Sequence, residues 1–313
     1  MTNVLLTYIH YPLSVGRFIK RGFQQLGCNV MSAGPYVETI PWCTWRNYSK
    51  YYDVPDVIMP NKPVTEMDFL TTKEQVKDFK PDVLIQVDAG YSLYRENNVV
   101  PGYKTAVLAT DPHAIGYLQQ FINNDYGFIM QKNWWDKKYN GFGLQWIPYA
   151  FDPQIHYWSF GSRRCQDVTI ISGLMYPKRK EGLEAMQAAG IRVRHEVGLL
   201  YEEGTQVYNE GLIAYNWSSN DDLPMRVWEG MAYRNVVLTN RVSDLKEFAE
   251  FQEDVHYMAF DTVEECVEKA LWLKANEDEA QKIARNGYAQ VWIGRHTYAQ
   301  RCLRMLRAMG VQM

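Results

Sequence analysis

Short apolar runs that end in polar or glycine turns and give way to a helical period recur through this chain, and that alternation constrains the fold more than any other feature. In the first half, residues 4–9 form an apolar run suited to a strand buried on both faces. After the loop His10-Tyr11-Pro12-Leu13-Ser14, Val15, Phe18, Ile19, Gly22, Phe23 and Leu26 fall at i, i+3, i+4, i+7, i+8 and i+11, and Gly27 supplies a helix stop. Residues 28–31 open a second strand, 73–79 read as a helix, and strands follow at 81–88, 105–109 and 127–130. Residues 35–65, with Pro35, Pro41, Pro55, Pro60 and Pro63, read as loop with at most short helices.

The second half restarts the pattern. Strands are predicted at 167–172, 191–195, 211–215 and 235–239, and helices at 179–189, 224–233, 263–271, 278–292 and 296–309. Such alternation implies parallel sheets flanked by helices, and 313 residues suit two domains at roughly 150 residues each. The expected division is residues 1–155, residues 156–295, and a terminal helix, 296–313, that packs back on the first domain.

Composition then removes several classes of function. A formal net charge of -3 gives no broad basic field for nucleic acid, although a local basic groove stays open. The five cysteines, Cys28, Cys43, Cys165, Cys266 and Cys302, are widely spaced without a C-x-x-C pair. This fits a reducing, cytoplasmic setting and predicts neither a disulfide framework nor a zinc site. The N-terminus lacks the pattern of a signal peptide, and no apolar run of about 18 residues exists, so no membrane span is expected.

Ligands of open α/β sheets bind beyond the carboxyl ends of the strands. Four loops there carry chemistry. Ser172-Gly173 leads into Lys178, Arg179 and Lys180 at a helix start, where glycine allows close backbone approach and cations attract a phosphate; the alternative is a solvated basic turn. The loop 216–224 offers Asn216, Ser218, Asp221 and Asp222 and enters a short helix on which Arg226 and Glu229, three apart, share a face. A carboxylate at 229 suits both hydroxyls of a ribose; the alternative is an exposed ion pair. Asp221-Asp222 reads as a helix-start cap rather than a metal pair. Asp111-Pro112-His113 ends a first-domain strand and could hold and activate an acceptor hydroxyl, or be an Asx-type turn. His10, after the first strand, is the remaining candidate base or acceptor contact.

The stretch GLIAYNWSSNDDLPMRVWEGMAYRNVVLTN at 211–240, with Gly287 and His296-Thr297-Tyr298-x-x-Arg301, resembles the CgeB-like (spore-maturation) glycosyltransferases of the GT-B superfamily. Asp167-Val168-Thr169-Ile170-Ile171-Ser172-Gly173 with Tyr176 and Arg179, Thr110-Asp111-Pro112-His113, and the run 146–153 extend the likeness over roughly residues 80–305. Two departures stand out. Trp228 replaces the family's phenylalanine, and Arg234 stands where a glycine is common before the next strand.

The resemblance implies two Rossmann-like domains facing across a cleft, with the second binding a nucleoside-diphosphate sugar, read as a UDP-sugar. Glu229 would bind the ribose, Arg179 or Lys178 the diphosphate, and Gly173, Asn216, Ser218, Asp222 and Arg226 would line that site. Asp111, His113 or His10 would serve an inverting reaction as base. No metal or other cofactor is implied. The acceptor stays open among a glycan, a protein, a small molecule and a nucleic-acid base. A hydroxymethyl-pyrimidine DNA-base glycosyltransferase, an epimerase, and a non-catalytic structural or coat protein on the same fold are the alternatives.

Overall fold

The computed structural model describes residues 1–40, 43–59, 73–87, 102–173, 176–218 and 220–312. The sequence readings at Pro41, Pro60, Pro63, Asp88, Leu174, Met175 and Ser219 lie outside them. The chain divides into two compact units, Met1–Pro148 with Tyr298–Met313, and Tyr149–Thr297.

In the N-terminal unit the strands are β1 (Asn3–Thr7), β2 (Asn29–Gly34), β3 (Val57–Ile58), β4 (Val83–Val87), β5 (Lys104–Ala109), β6 (Tyr126–Ile129) and β7 (Gln145–Trp146). They form one sheet in the order β3-β2-β1-β4-β5-β6-β7, and every pair is parallel. The mainly apolar character of β1, β4 and β5 follows from burial on both faces, as parallel sheets require, although Thr7, Gln86 and Thr105 are buried among them. Helix α1 (Val15–Gln25) starts where Ser14 Oγ accepts the Gly16 N–H, and it buries Gly16, Ile19, Gly22 and Phe23 from its apolar stripe. The stretch 35–65, expected as loop with at most short helices, holds a 3-10 turn, Ser49–Tyr51, and is corrected at one place by the edge strand β3, which pairs with β2. Two residues are too few to show an alternation. Helices α2 (Glu74–Phe79) and α3 (Leu118–Asn123) are short.

The C-terminal unit holds β8 (Gln166–Ile171), β9 (Val193–Glu196), β10 (Gly211–Asn216), β11 (Val236–Asn240) and β12 (Met258–Phe260). The parallel order is β12-β11-β10-β8-β9. Counted within the unit this is the doubly wound order 2-1-3-4-5, whose direction of winding reverses between β8 and β10. Around it lie α4 (Pro177–Ala188), α5 (Tyr201–Glu210), α6 (Met225–Ala232), α7 (Val263–Ala275) and α8 (Glu277–Ile293). Its core joins Val168, Ile170, Ile213, Tyr215, Leu238 and Phe260 from the strands to Leu183, Met186, Cys266 and Leu273 from the helices.

Arg234 and Trp228, the two positions that differ from the resembled motif, are accommodated locally. Arg234 takes the left-handed conformation, φ 58°, that ends α6, and its N–H donates to the Met231 carbonyl at 2.9 Å. Fully buried Trp228 stacks on His296, with ring centroids 4.6 Å apart, and meets Phe248 and Phe251 edge-on. The chain then returns to the N-terminal unit as α9 (Tyr298–Ala308), which packs on α1. Phe18 stacks on Tyr298, and Arg301 Nε donates to the Pro148 carbonyl at 2.9 Å. Among the described residues, no helix is long and apolar enough to cross a membrane.

Candidate functional site

The carboxyl ends of β8 and β10, where the C-terminal sheet reverses its winding, collect the largest group of candidates. Arg179, in the first turn of α4, is buried and pinned by three bonds. Its Nε and Nη2 donate to the Trp217 carbonyl at 3.2 and 2.9 Å, and its Nη1 donates to Ser172 Oγ at 2.8 Å. Tyr176 lies beneath the guanidinium, 5.3 Å from ring centroid to charge. From the other side Arg226, in the first turn of α6, donates to Asn216 Oδ1 at 2.8 Å and to the Ile171 carbonyl at 3.3 Å. Each arginine thus bridges the ends of neighbouring strands. Burial first, and then the nearby Arg226, pull Arg179 down to about 10, still cationic at neutral pH. An anion at this spot would be attracted by both.

Lys178 is the other cation read as meeting the diphosphate. Its side chain is 62% exposed and pairs with Glu181 at 3.0 Å along the outer face of α4, whereas Arg179 occupies the strand ends. Gly173 is an exposed bend after β8.

The described residues of the loop after β10 are held by side-chain bonds among themselves and to Asn240 and Ser243. Ser218 N–H donates to Asn240 Oδ1 at 2.7 Å, Asn240 Nδ2 returns a bond to the Ser218 carbonyl at 3.1 Å, and Ser218 Oγ bonds Asp222. Asn216 is fully buried and donates to Thr239 Oγ1 at 2.9 Å. The adjacent aspartates have separate tasks: Asp222 N–H and carboxylate close on Ser218, while Asp221, at φ 51°, accepts the Ser243 N–H and hydroxyl, each at 2.9 Å. Asp221 therefore caps the 3-10 turn Ser243–Glu247 rather than the start of α6.

Glu229 differs from the simple ion-pair alternative. Arg226 shares its helix face but turns to Asn216 and Ile171, and the Glu229 carboxylate meets His156 Nε2 at 3.3 Å. Burial pushes the Glu229 carboxyl up to about 7, with Arg226 drawing it partly back. Tyr233 and Tyr208, stacked at 4.9 Å, stand in the same surroundings, and Tyr208 OH accepts the Ile171 N–H at 3.3 Å. Neither His156 nor Tyr208 was among the sequence candidates. His156 follows Asp152-Pro153, and Tyr208 lies on α5, whose Tyr201–Glu210 sequence carries no clean apolar stripe.

In the N-terminal unit, His113 is half-buried and its Nδ1 donates to Gln131 Oε1 at 3.3 Å. The Asp111 carbonyl accepts the N–H groups of Ala114 and Ile115, so the backbone there is a turn. His10 is buried beyond β1, with Nδ1 2.9 Å from the Asp53 carbonyl and 3.4 Å from its carboxylate. Its ring stacks on Tyr8 at 3.8 Å, and Lys20 Nζ reaches the same carboxylate at 2.9 Å. Burial would raise the Asp53 carboxyl, but the bonds from His10, Tyr8 and Lys20 prevail and hold it well below the ordinary carboxylate range. Asp53 and Lys20 carried no sequence signal, being an isolated aspartate in an aromatic loop and one of several cations on α1.

Residues 160–307 match a family model described as glycosyl transferase-like. No curated protein matches the chain in sequence. Solved structures align along almost its full length. Sucrose-phosphate synthase from Thermosynechococcus elongatus superposes with TM-score 0.66 at 11% identity, covering 99% of this chain and 98% of that one. Anabaena HepE, in complex with UDP and glucose, gives 0.69 at 9% identity, with 99% and 100% covered. The fold is GT-B. An alpha-glucosyltransferase in complex with UDP and a 13-mer DNA containing a central A:G mismatch shares it, with TM-score 0.65, 12% identity, and 98% and 99% covered.

Proposed function

We propose that this GT-B chain is a glycosyltransferase that takes its sugar from a nucleoside-diphosphate donor, a UDP-sugar, bound at the β8/β10 strand ends. The observation that carries this reading is the pairing of Arg179 and Arg226 at the winding reversal with half-buried Glu229 one turn further along α6. The spacing suits a nucleotide: cations for the diphosphate, a carboxylate for vicinal hydroxyls. The glycosyl transferase-like match over 160–307 supports it, as does the fold shared with proteins solved with UDP. Placement among the CgeB-like branch rests on the motifs at 211–240 and 296–301.

In this reaction the bond between anomeric carbon and diphosphate oxygen breaks, and negative charge grows on the leaving diphosphate. Arg179 and Arg226, fixed before reaction by carbonyl and side-chain acceptors, meet that charge without reorganising. With Asp221 and Asp222 committed to Ser243 and Ser218, the leaving group is stabilised by guanidinium rather than by a metal held on that pair. The N-terminal unit would supply the acceptor's contacts, with Asp111 and His113 the first candidates to take a hydroxyl proton; His10, buried against Tyr8 and Asp53, is the less accessible third. A nucleic-acid base is a second acceptor reading, favoured by the DNA-bound neighbour of the same fold.

The test is a melting panel of nucleoside diphosphates and their sugars, with magnesium and with a chelator, followed by release of diphosphate across an acceptor panel. Saturation at 100-fold over the dissociation constant adds about 2.7 kcal/mol of stability. UDP-sugars are expected to stabilise the chain with or without magnesium, and Arg179→Ala to abolish the shift. Replacing Asp111 by Asn or His113 by Ala is expected to spare that shift and lower turnover. Donor binding with no turnover on any acceptor would point to a structural protein on this fold. A duplex acceptor would show steep salt dependence.

A further inference from the structure

The contact between His156 and Glu229 has a direction. The segment Asp152–His156 folds on itself: the N–H groups of Ile155 and His156 donate to the Asp152 carbonyl at 3.0 and 2.8 Å, and the Gln154 N–H donates to the Asp152 carboxylate at 2.9 Å. In the same turn the Asp152 N–H donates to His156 Nδ1 at 2.9 Å. A ring nitrogen that accepts an amide proton carries none of its own, so the imidazole proton is on Nε2. That nitrogen stands 3.3 Å from Glu229 Oε1. Tyr233 meets the imidazole edge-on at 5.6 Å, and its hydroxyl lies 3.3 Å from Thr205 Oγ1, which bonds the Ile155 carbonyl. The ring is therefore held at Nδ1 and by a packed aromatic neighbour, with Nε2 facing the carboxylate. The two side chains are 6% and 14% exposed, so a narrow face of the carboxylate stays open.

We infer that His156 is a positioning residue: its Nε2–H fixes the rotation of the Glu229 carboxylate so that the oxygens' remaining lone pairs accept from the 2′- and 3′-hydroxyls of a ribose, making the pair a filter for ribonucleotides over 2′-deoxyribonucleotides. This rests on the donor-site reading above. A carboxylate on a helix can rotate about its last bonds, and a rotated carboxylate accepts one hydroxyl as well as two. Engaging one oxygen from a locked imidazole removes that freedom before the ligand arrives, which is how a second residue sharpens a first. His156 itself touches no sugar.

The experiment is calorimetric titration of the full chain with UDP and with 2′-deoxy-UDP, and with inorganic pyrophosphate as a probe lacking ribose. A hydrogen bond to a charged group corresponds to a difference of about tenfold or more, so wild-type chain is expected to bind UDP at least about tenfold tighter than 2′-deoxy-UDP. Glu229→Gln should lose that ratio. His156→Phe, which keeps the ring and loses the donor, should bring the two affinities within about threefold while leaving pyrophosphate affinity unchanged. His156→Gln, whose amide N–H falls near the Nε2 position, should restore the preference. A role in packing alone would weaken all three ligands together and would not move the ratio. The inference is overturned if His156→Phe keeps the wild-type ratio while Glu229→Gln loses it; the ribose reading survives that result. If wild-type chain binds both nucleotides equally, or Glu229→Gln changes nothing, the donor-site reading fails and takes this inference with it. Should the phenylalanine variant fail to fold, nitrogen chemical shifts of the His156 ring in the wild-type chain decide the point. A proton on Nδ1 would overturn the arrangement, and a proton on Nε2 whose shift moves with UDP but not with 2′-deoxy-UDP would uphold it.

Discussion

At the scale of single residues, Glu229 links burial to ligand affinity. Its carboxyl titrates near 7 because burial penalises the charged form, while the ordinary value is 4.5. Groups facing it are His156 Nε2, Arg226, Tyr208 and Tyr233. Because the folded value is the higher one, the free chain gains stability from this group below about 4.5 and loses it as pH rises through about 7. Binding runs the other way, since ribose hydroxyls donate to the ionised carboxylate. The affinity for a UDP-sugar is expected to rise from pH 5.5 to about 7.5 and then level off. A nucleotide sugar is the right ligand, because its doubly esterified diphosphate does not titrate in that window. Calorimetry on wild-type chain and on Glu229→Gln checks this. Parallel pH profiles in the two would show that some other group titrates.

Elements were legible where one physical cause dominated. Strands β1, β4, β8, β10 and β11 are buried on both faces, and burial alone writes an apolar run into the sequence. Helix α1 shows its period because one face packs and the other does not. Helix α5 stayed hidden, since it packs through Gly204, Thr205, Val207, Tyr208 and Asn209, a mixture with no apolar period. The two-residue strands β3 and β7 are held by ladders whose partners lie far away in the sequence. The site divided similarly. Arg179, Arg226 and Glu229 sit at fixed offsets from strand ends, whereas His156 and Asp53 gain their meaning from tertiary contacts alone. Helix α6 also shows a constraint invisible in sequence. A Cβ added at Gly230 would stand 2.8 Å from Ala214 Cβ and 2.9 Å from Val237 Cγ2, on the two strands beneath. Gly230→Ala therefore forces α6 off the sheet, despite the better helix propensity of alanine. Overpacking of this kind costs about 1–3 kcal/mol, a fall in melting temperature of roughly 2–4 °C per kcal/mol for a unit this size. Because α6 carries Arg226 and Glu229, UDP affinity should fall with it. A variant as stable as wild type would show that the helix floats freely over the sheet.

For the whole molecule, the chain passes from one unit to the other at Pro148–Tyr149 and returns at Thr297–Tyr298, so its last helix belongs to its first domain. The contact that enforces the return is close. A Cβ at Gly22 of α1 would come within 2.8 Å of Cys302 Sγ and 2.9 Å of the Tyr298 carbonyl group, and Cys302 Sγ itself donates to the Ile19 carbonyl at 3.4 Å. Buried Tyr298, Cys302, Met305 and Leu306 make α9 part of the N-terminal core rather than an appendage. Gly22→Ala places a methyl group against backbone, which cannot rotate away as a side chain can. The helices must separate, at a cost of about 1–3 kcal/mol. Native-state hydrogen exchange locates that cost, since amides report the stability of the unit that protects them. Protection in β1, α1 and α9 should fall by about fivefold to 150-fold, while amides of β8, β10 and β11 keep theirs. Equal losses in both sheets would mean that α9 is not energetically part of the N-terminal unit, and an unchanged pattern would mean that α1 and α9 do not depend on their close approach.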